Sequence, residues 1–241
     1  METNPTLEFS PEKMDFRAYS ISWNLTKRCN LNCDHCYLDA EFRGGLKTDE
    51  LNTEECFKVI DQIAEVNPNA FLILTGGEPL LRPDIYEIIR YAADRKFMVV
   101  LGTNGTMINR VNAEKIKAAG AHGVGISIDS MNPDKHNKFR GVDKAWELSM
   151  DAFDILNEVG VDFLVQMSVS DMNYKEIPEV VEFTEKIGAI AFNLYFLVCT
   201  GRGQGNTDIS NAAYEEALKM LYEQQMKYKG KLMINSKCAP Q

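Results

Sequence analysis

Three stretches of the chain repeat one layout, and that layout constrains the fold more than any other feature. In "KIKAAGAHGVGISID", "ILNEVGVDFLVQMSV" and "EKIGAIAFNLYFLV" a helical pattern closes on Gly120, Gly160 or Gly188, and an apolar run starts a few residues later. Glycine suits the left-handed residue that ends a helix. The same alternation holds upstream. "TEECFKVIDQIAEV" (53–66) sets Cys56, Val59, Ile60, Ile63 and Val66 on one helical stripe, with Thr53 as its cap. "FLILTGG" (71–77) is a continuous apolar strand of the kind covered on both faces in a parallel sheet. "PDIYEIIRYAADRK" (83–96) is the next helix, with Pro83 at its start, and "FMVVLGTNG" (97–105) the next strand. From Asp143 onward, Ala145, Leu148, Ala152, Ile155 and Val159 mark one buried helical face.

With "YSISWNLT" (19–26) first, this gives six strands and at least five helices between them. Such alternation means right-handed parallel crossovers. The expected fold class is α/β, a partial (β/α)6 TIM-like barrel of parallel strands. Six units fall short of the eight-fold barrel, which takes about 250 residues. A flat doubly wound sheet is the alternative. In both, chemistry belongs at the carboxyl ends of the strands. The polar and glycine-bearing stretches fall there: 29–37, "TGGEP" (75–79), "TNG" (103–105), "SIDS" (127–130) and "CTGRGQG" (199–205).

Composition narrows the function classes. A formal net charge of -9 argues against general nucleic-acid binding, which needs a basic surface. No run of about 18 apolar residues spans a membrane, and the polar, acidic start lacks the layout of a signal peptide. A cytoplasmic, reducing location is the expectation. Clustered cysteines there serve as metal ligands or catalytic groups more often than as disulfides.

Three of the six cysteines stand in "CNLNCDHCY". Cys29 and Cys33 are four apart and Cys33 and Cys36 three apart, so a tight loop can turn all three sulfurs toward one centre. Structural zinc wants a fourth ligand. The neighbouring His35 would have to point elsewhere, and His122 and His136 sit in other loops. An iron–sulfur cluster normally takes four thiolates, so three leave one iron open to something else.

Cysteines at this spacing after the first strand, with "GGEP" ending the second, resemble the radical S-adenosylmethionine superfamily over residues 20 to 200. His35, the aromatic before the last cysteine, fits that pattern too. The resemblance implies a [4Fe-4S] cluster on Cys29, Cys33 and Cys36, with S-adenosylmethionine chelating the fourth iron. Reductive cleavage then gives methionine and a 5'-deoxyadenosyl radical that takes hydrogen from a substrate. An electron donor such as ferredoxin or flavodoxin is implied.

The same resemblance places Gly76, Gly77, Glu78 and Pro79 at the cofactor, the Glu78 carboxylate meeting the S-adenosylmethionine ammonium. Two glycines let backbone approach a ligand closely; on its own the segment also reads as a plain strand-ending turn. Asn104, Ser127 and Asp129 are candidates for the ribose, or for capping the helices that follow. Arg140 is a candidate for the cofactor carboxylate, as arginine binds carboxylates in pairs, or a solvated loop residue. Gln166 faces the adenine or fills the barrel. No catalytic residue is assigned.

"TGRGQG" (200–205) lacks the downstream residues of a phosphate loop. It reads as a mobile loop offering Arg202 to an anionic substrate. Cys56 and Cys199 read as structural thiols. Cys238, in "KCAPQ" after the short apolar "KLMIN", is a candidate auxiliary-cluster ligand. Expected domains are an N-terminal extension (1–18), the core (19–230), and the start of a truncated auxiliary-cluster module (231–241). "FRGVDKAWE", "FLVCTGRG" and "CAPQ" resemble the branch that modifies tetrapyrrole side chains in alternative haem biosynthesis. A peptide-modifying maturase is a second reading within the family. A non-catalytic zinc-binding interaction module is the reading from another class.

Overall fold

The computed structural model describes residues 20–40, 50–197, 200–205 and 209–237. Seven strands form one sheet in the order of the chain: β1 (Ser20–Asn24), β2 (Phe71–Thr75), β3 (Met98–Thr103), β4 (Gly123–Ser127), β5 (Phe163–Val169), β6 (Ala191–Phe196) and β7 (Met233–Lys237). Every neighbouring pair is parallel. A doubly wound sheet must reverse its strand order somewhere; this sheet never does. Right-handed crossovers in one direction put every helix on the same face, and strand twist curls the sheet around the other face. The result is a partial barrel.

The crossovers are α1 (Thr53–Val66), α2 (Ile85–Asp94), α3 (Arg110–Ala118), the pair α4 (Pro133–Arg140) and α5 (Ala145–Val159), α6 (Ile177–Lys186) and α7 (Asn211–Lys227). Gly120, Gly160 and Gly188 all take positive φ at the helix ends. The cap of α1 is Asn52 rather than Thr53: its side chain accepts from the Glu55 N–H, and Glu55 answers to the Asn52 N–H, a capping box. On α1 the buried residues are Cys56 and Ile60, while Val66 is exposed. On α5 the buried face is Ala145, Ser149, Ala152, Phe153 and Leu156, and Leu148 is exposed. A stripe read at three-and-four spacing fixes a helix but leaves its rotation uncertain by about a residue.

The count of six strands is corrected to seven among the described residues. "KLMIN" supplies β7, which pairs with β6 from Ala191↔Met233 to Tyr195↔Lys237. The sheet therefore reaches past residue 230, the expected edge of the core. Residues 1–18, Cys199 and Cys238 lie outside the described residues. Among the described residues no helix is long and apolar enough to cross a membrane.

The two faces of the sheet differ. Leu72, Leu74, Val99, Leu101, Val124, Ile126, Val165, Met167, Phe192 and Leu194 belong to the main core under the helices. The opposite face has a small apolar floor of Val100, Leu164 and Ala191, with Phe71 packed against it. Beyond that floor, toward the carboxyl ends, the inward positions turn small or polar. One fully buried cation braces the first crossover. Arg82 donates to both carboxylate oxygens of Asp84, at 2.9 and 2.6 Å, and to the carbonyls of Leu25 and Leu51. Removing one partner of such a pair strands the other's charge. Arg82→Ala should cost about 3–5 kcal/mol of unfolding free energy by urea titration. A change within the error of the titration would show that the pair contributes nothing net.

Candidate functional site

The cysteine loop lies across the carboxyl ends of the strands and is fixed by backbone contacts from three distant segments. After β2, the Gly77 N–H donates to the Thr26 carbonyl and the Glu78 N–H to the Arg28 carbonyl, both at 2.8 Å. A Cβ on Gly77 would stand 2.3 Å from the Arg28 oxygen, and one on Gly76, at φ 149°, 2.5 Å from the Thr26 oxygen. Only glycine fits such an approach. From α4, the carbonyls of Phe139 and Arg140 accept from the N–H groups of Asp34 and Asn32. Gly141, at φ 68°, sits so close that a Cβ would meet the Asn32 oxygen at 2.2 Å. After β6, the Arg202 N–H donates to the Cys36 carbonyl at 3.0 Å.

Cys29 and Cys33 are buried and Cys36 half-buried, and all three are free thiols. Each sulfur has an N–H nearby. The Leu31 N–H reaches Cys29 Sγ at 3.4 Å and the Ala40 N–H reaches Cys36 Sγ at 3.3 Å. Asn104 Nδ2 stands 3.9 Å from Cys29 Sγ, and Arg140 Nη1 3.9 Å from Cys33 Sγ. Burial pushes the Cys29 thiol up to about 11, the neighbouring Cys33 and Cys36 adding to the rise against the Leu31 N–H. Among the described residues no three His, Cys, Asp or Glu donors close around a single ion. The ligands of a cubane sit on separate irons and need no such closeness. Free thiols on one clamped loop, each facing an N–H that would stabilise negative sulfur, fit the ligands of an iron–sulfur cluster.

His35 lies flat on Phe139, the ring centroids 4.1 Å apart. Its Nδ1 is buried and has no hydrogen-bond partner. Burial, then the positive charge of Arg140, pushes its pKa down to about 3, so the imidazole is neutral. A neutral ring with an unsatisfied nitrogen beside the cysteines leaves one polar atom for a ligand to meet.

Several expected cofactor contacts are already occupied. The Glu78 carboxylate is fully buried and accepts from the Leu80 N–H at 3.0 Å, the Asn104 N–H at 2.9 Å and the Thr103 hydroxyl at 2.9 and 2.8 Å. Burial pushes its carboxyl up against those donors. Instead of standing open at the mouth, it ties the end of β2 to the end of β3. Pro79 begins the turn Pro79–Leu81, which Glu78 caps. Asn104 donates to Asn30 on the cysteine loop at 2.9 Å. Asp129 accepts from Arg140 Nε at 2.6 Å and the Ser168 N–H at 2.9 Å. Burial alone would raise the Asp129 carboxyl, but the Arg140 guanidinium outweighs it and holds the pKa low. Arg140 is therefore buried and paired, not solvated. Ser127 and Gln166 stand half-buried and in register on the inner face of β4 and β5.

The loop after β6 does something its sequence did not suggest. Arg202 Nε donates to the Cys33 carbonyl at 3.1 Å, and Nη1 to the Ala40 carbonyl at 2.6 Å and Asp39 Oδ1 at 3.1 Å. Gly201, at φ 58°, brings the backbone so near that a Cβ would stand 2.5 Å from the Cys36 oxygen. Arg202 is a clamp on the cysteine loop, not a free group for an anionic substrate. An arginine after a glycine carries no mark in sequence that separates these roles.

A parallel partial barrel with three free cysteines on the loop after its first strand and a glycine pair gripping that loop defines a class, and comparison agrees. The model of the Radical SAM superfamily matches residues 23–184, about two thirds of the chain, and the chain belongs to that superfamily. Its cofactors are a [4Fe-4S] cluster and S-adenosylmethionine. The chain is 39% identical over 220 residues to the AdoMet-dependent heme synthase of Methanosarcina barkeri, covering 91% of this chain and 62% of that protein. It is 34% identical to the Fe-coproporphyrin III synthase of the same organism, covering 92% of this chain and 54% of that protein. The chain thus spans roughly three fifths or less of these curated relatives. Streptococcus suis SuiB bound to S-adenosylmethionine superposes with a TM-score of 0.76 at 16% identity, covering 91% of this chain and 50% of that one, which shows the fold.

Two substitutions test the site. Arg202→Ala should make the three cysteines of the metal-free chain react with a maleimide about ten-fold faster, since the loop loses three side-chain anchors; unchanged rates would remove Arg202 from the clamp. Glu78→Gln should lower stability by about 1–3 kcal/mol, because its amide meets donors with a donor. Reduced S-adenosylmethionine affinity at unchanged stability would instead make Glu78 a direct ligand.

Proposed function

We propose that Cys29, Cys33 and Cys36 hold the [4Fe-4S] cluster and that the chain uses it on a side chain of a tetrapyrrole, in the cytoplasm. The observation that carries the substrate class is the 39% identity to an AdoMet-dependent heme synthase across 91% of this chain. When bound, the cluster and S-adenosylmethionine would supply one-electron reductive cleavage and hydrogen-atom abstraction, with the electron coming from an external donor such as ferredoxin or flavodoxin.

The chain's own residues position and shield. The N–H groups of Leu31 and Ala40 and the Arg140 guanidinium stabilise negative sulfur on Cys29, Cys36 and Cys33. Asp129 holds Arg140 in place from β4. Gly76 and Gly77 bring backbone against the cysteine loop, and Glu78 locks that junction to β3. His35 offers its buried Nδ1 to the bound cofactor. Ser127 and Gln166 face the space where the ribose and adenine would lie.

The test is anaerobic incubation of the reduced, cluster-loaded chain with S-adenosylmethionine and iron coproporphyrin III, read by mass spectrometry. We expect 5'-deoxyadenosine together with a changed porphyrin mass, and neither from Cys33→Ala. Deoxyadenosine with an unchanged porphyrin would remove the tetrapyrrole. A colourless protein carrying zinc would support the non-catalytic module instead.

A further inference from the structure

The inner face of β4–β7 carries a polar ledge, of which the cofactor reading uses Ser127 and Gln166 and leaves the β6 and β7 positions unused. Residue pairing puts Ser127, Gln166, Asn193 and Asn235 side by side across four strands, one residue each. Ser168 on β5, Tyr195 on β6 and Lys237 on β7 stand one step further toward the carboxyl ends, on the same face. In a closed parallel barrel these layers are filled by bulky branched side chains. Here they are carboxamides, hydroxyls and an ammonium.

Four observations say what the ledge would take. Gln166 is half-buried, and its carboxamide makes no hydrogen bond to another described residue, although Gly125 opposite leaves space that it occupies, a Cβ there standing 2.9 Å from Nε2. Asn235 donates to Asn193 at 3.1 Å, which spends an acceptor of Asn193 and leaves the Asn193 amide donor without a partner among the described residues. The chain's net charge is -9, yet no inward strand position from β1 to β7 holds an acid, and Lys237 is the one charge on that face among the described residues. Beneath the ledge lies the apolar floor of Val100, Leu164 and Ala191. Outward donors and a cation above an apolar base suit a ligand with a flat apolar body and carboxylates on its rim.

We propose that Asn193 and Lys237, backed by Asn235, bind substrate carboxylates and so determine specificity for a polycarboxylate. This rests on the tetrapyrrole reading and names the part of the chain that would recognise it. The remaining edge of the lumen, nearer the cysteine loop, is left to the cofactor.

The test titrates the cluster-loaded full chain with coproporphyrin III and with its tetramethyl ester, following porphyrin fluorescence. The wild type should prefer the acid. Asn193→Asp and Lys237→Glu should each weaken acid binding by about ten-fold or more and narrow the preference over the ester, since each sets a carboxylate against the ligand's own. Lys237 is exposed at the end of its strand, so its variant keeps the test alive if Asn193→Asp misfolds. Wild-type affinity in both variants overturns the ledge while leaving the tetrapyrrole reading intact. A wild type that binds neither porphyrin overturns that reading, and the ledge falls with it. Weakened S-adenosylmethionine binding with unchanged porphyrin binding would give these residues to the cofactor and overturn the assignment to substrate.

Discussion

The structure depends on how closely foreign backbone can approach the cysteine loop. That loop has little regular structure of its own and no apolar mass beyond Leu31, Ala40 and the cysteines with their few neighbours. Its conformation is imposed from outside, at three junctions where a Cβ would collide with a carbonyl: Gly77 on Arg28, Gly141 on Asn32 and Gly201 on Cys36. Each junction is followed or preceded by a hydrogen-bonding side chain that locks it: Glu78, Arg140 and Arg202. The pairing of a glycine with a long polar neighbour recurs at all three. The glycine allows contact, and the neighbour converts contact into fixed geometry.

This arrangement explains why the strongest ionic interactions are where they are. Burying the Arg140–Asp129 pair costs desolvation that the pair's attraction need not repay. Asp129 recovers part of that cost from the Ser168 N–H, and Arg140 aims a guanidinium at Cys33. A positive group kept beside a sulfur ligand favours its anionic form, so the pair contributes electrostatics at the loop more than stability to the fold. His136, buried beside Asp129 and pushed down to about 4 chiefly by burial, adds no charge that would compete.

The fold was legible because its evidence is local. Glycine at 120, 160 and 188 and unbroken apolar runs fix helix ends and covered strands without any knowledge of neighbours. "KLMIN" was harder: a short apolar strand after the last helix reads as the start of a further module, and only its pairing with β6 makes it the seventh strand of the sheet. At the site, the cysteine spacing and the glycine pair were legible for the same reason. What the polar side chains do was not. Glu78, Asp129, Arg140 and Arg202 can each meet a ligand or a protein group, and the choice depends on Thr103 and Asn104, 25 and 26 residues away, for Glu78 and on a partner 169 residues away for Arg202. Sequence distance of that kind leaves no periodic trace.

Openness of the barrel ties these points together. A closed ring of eight strands must fill its interior with side chains, which leaves little room for a large substrate. Among the described residues, seven strands in sequential order put β1 and β7 at the two edges of the sheet, and both are only five residues long, which limits the exposed ladder. Between those edges, Gly102 and Gly125 strip the inner wall of β3 and β4 and widen the lumen where Thr75 and Gln166 reach across. The cysteine loop grows from one edge strand and the ledge ends on the other. Chemistry and recognition therefore stand on opposite arms of one curled sheet, and the curvature of that sheet sets the distance between them.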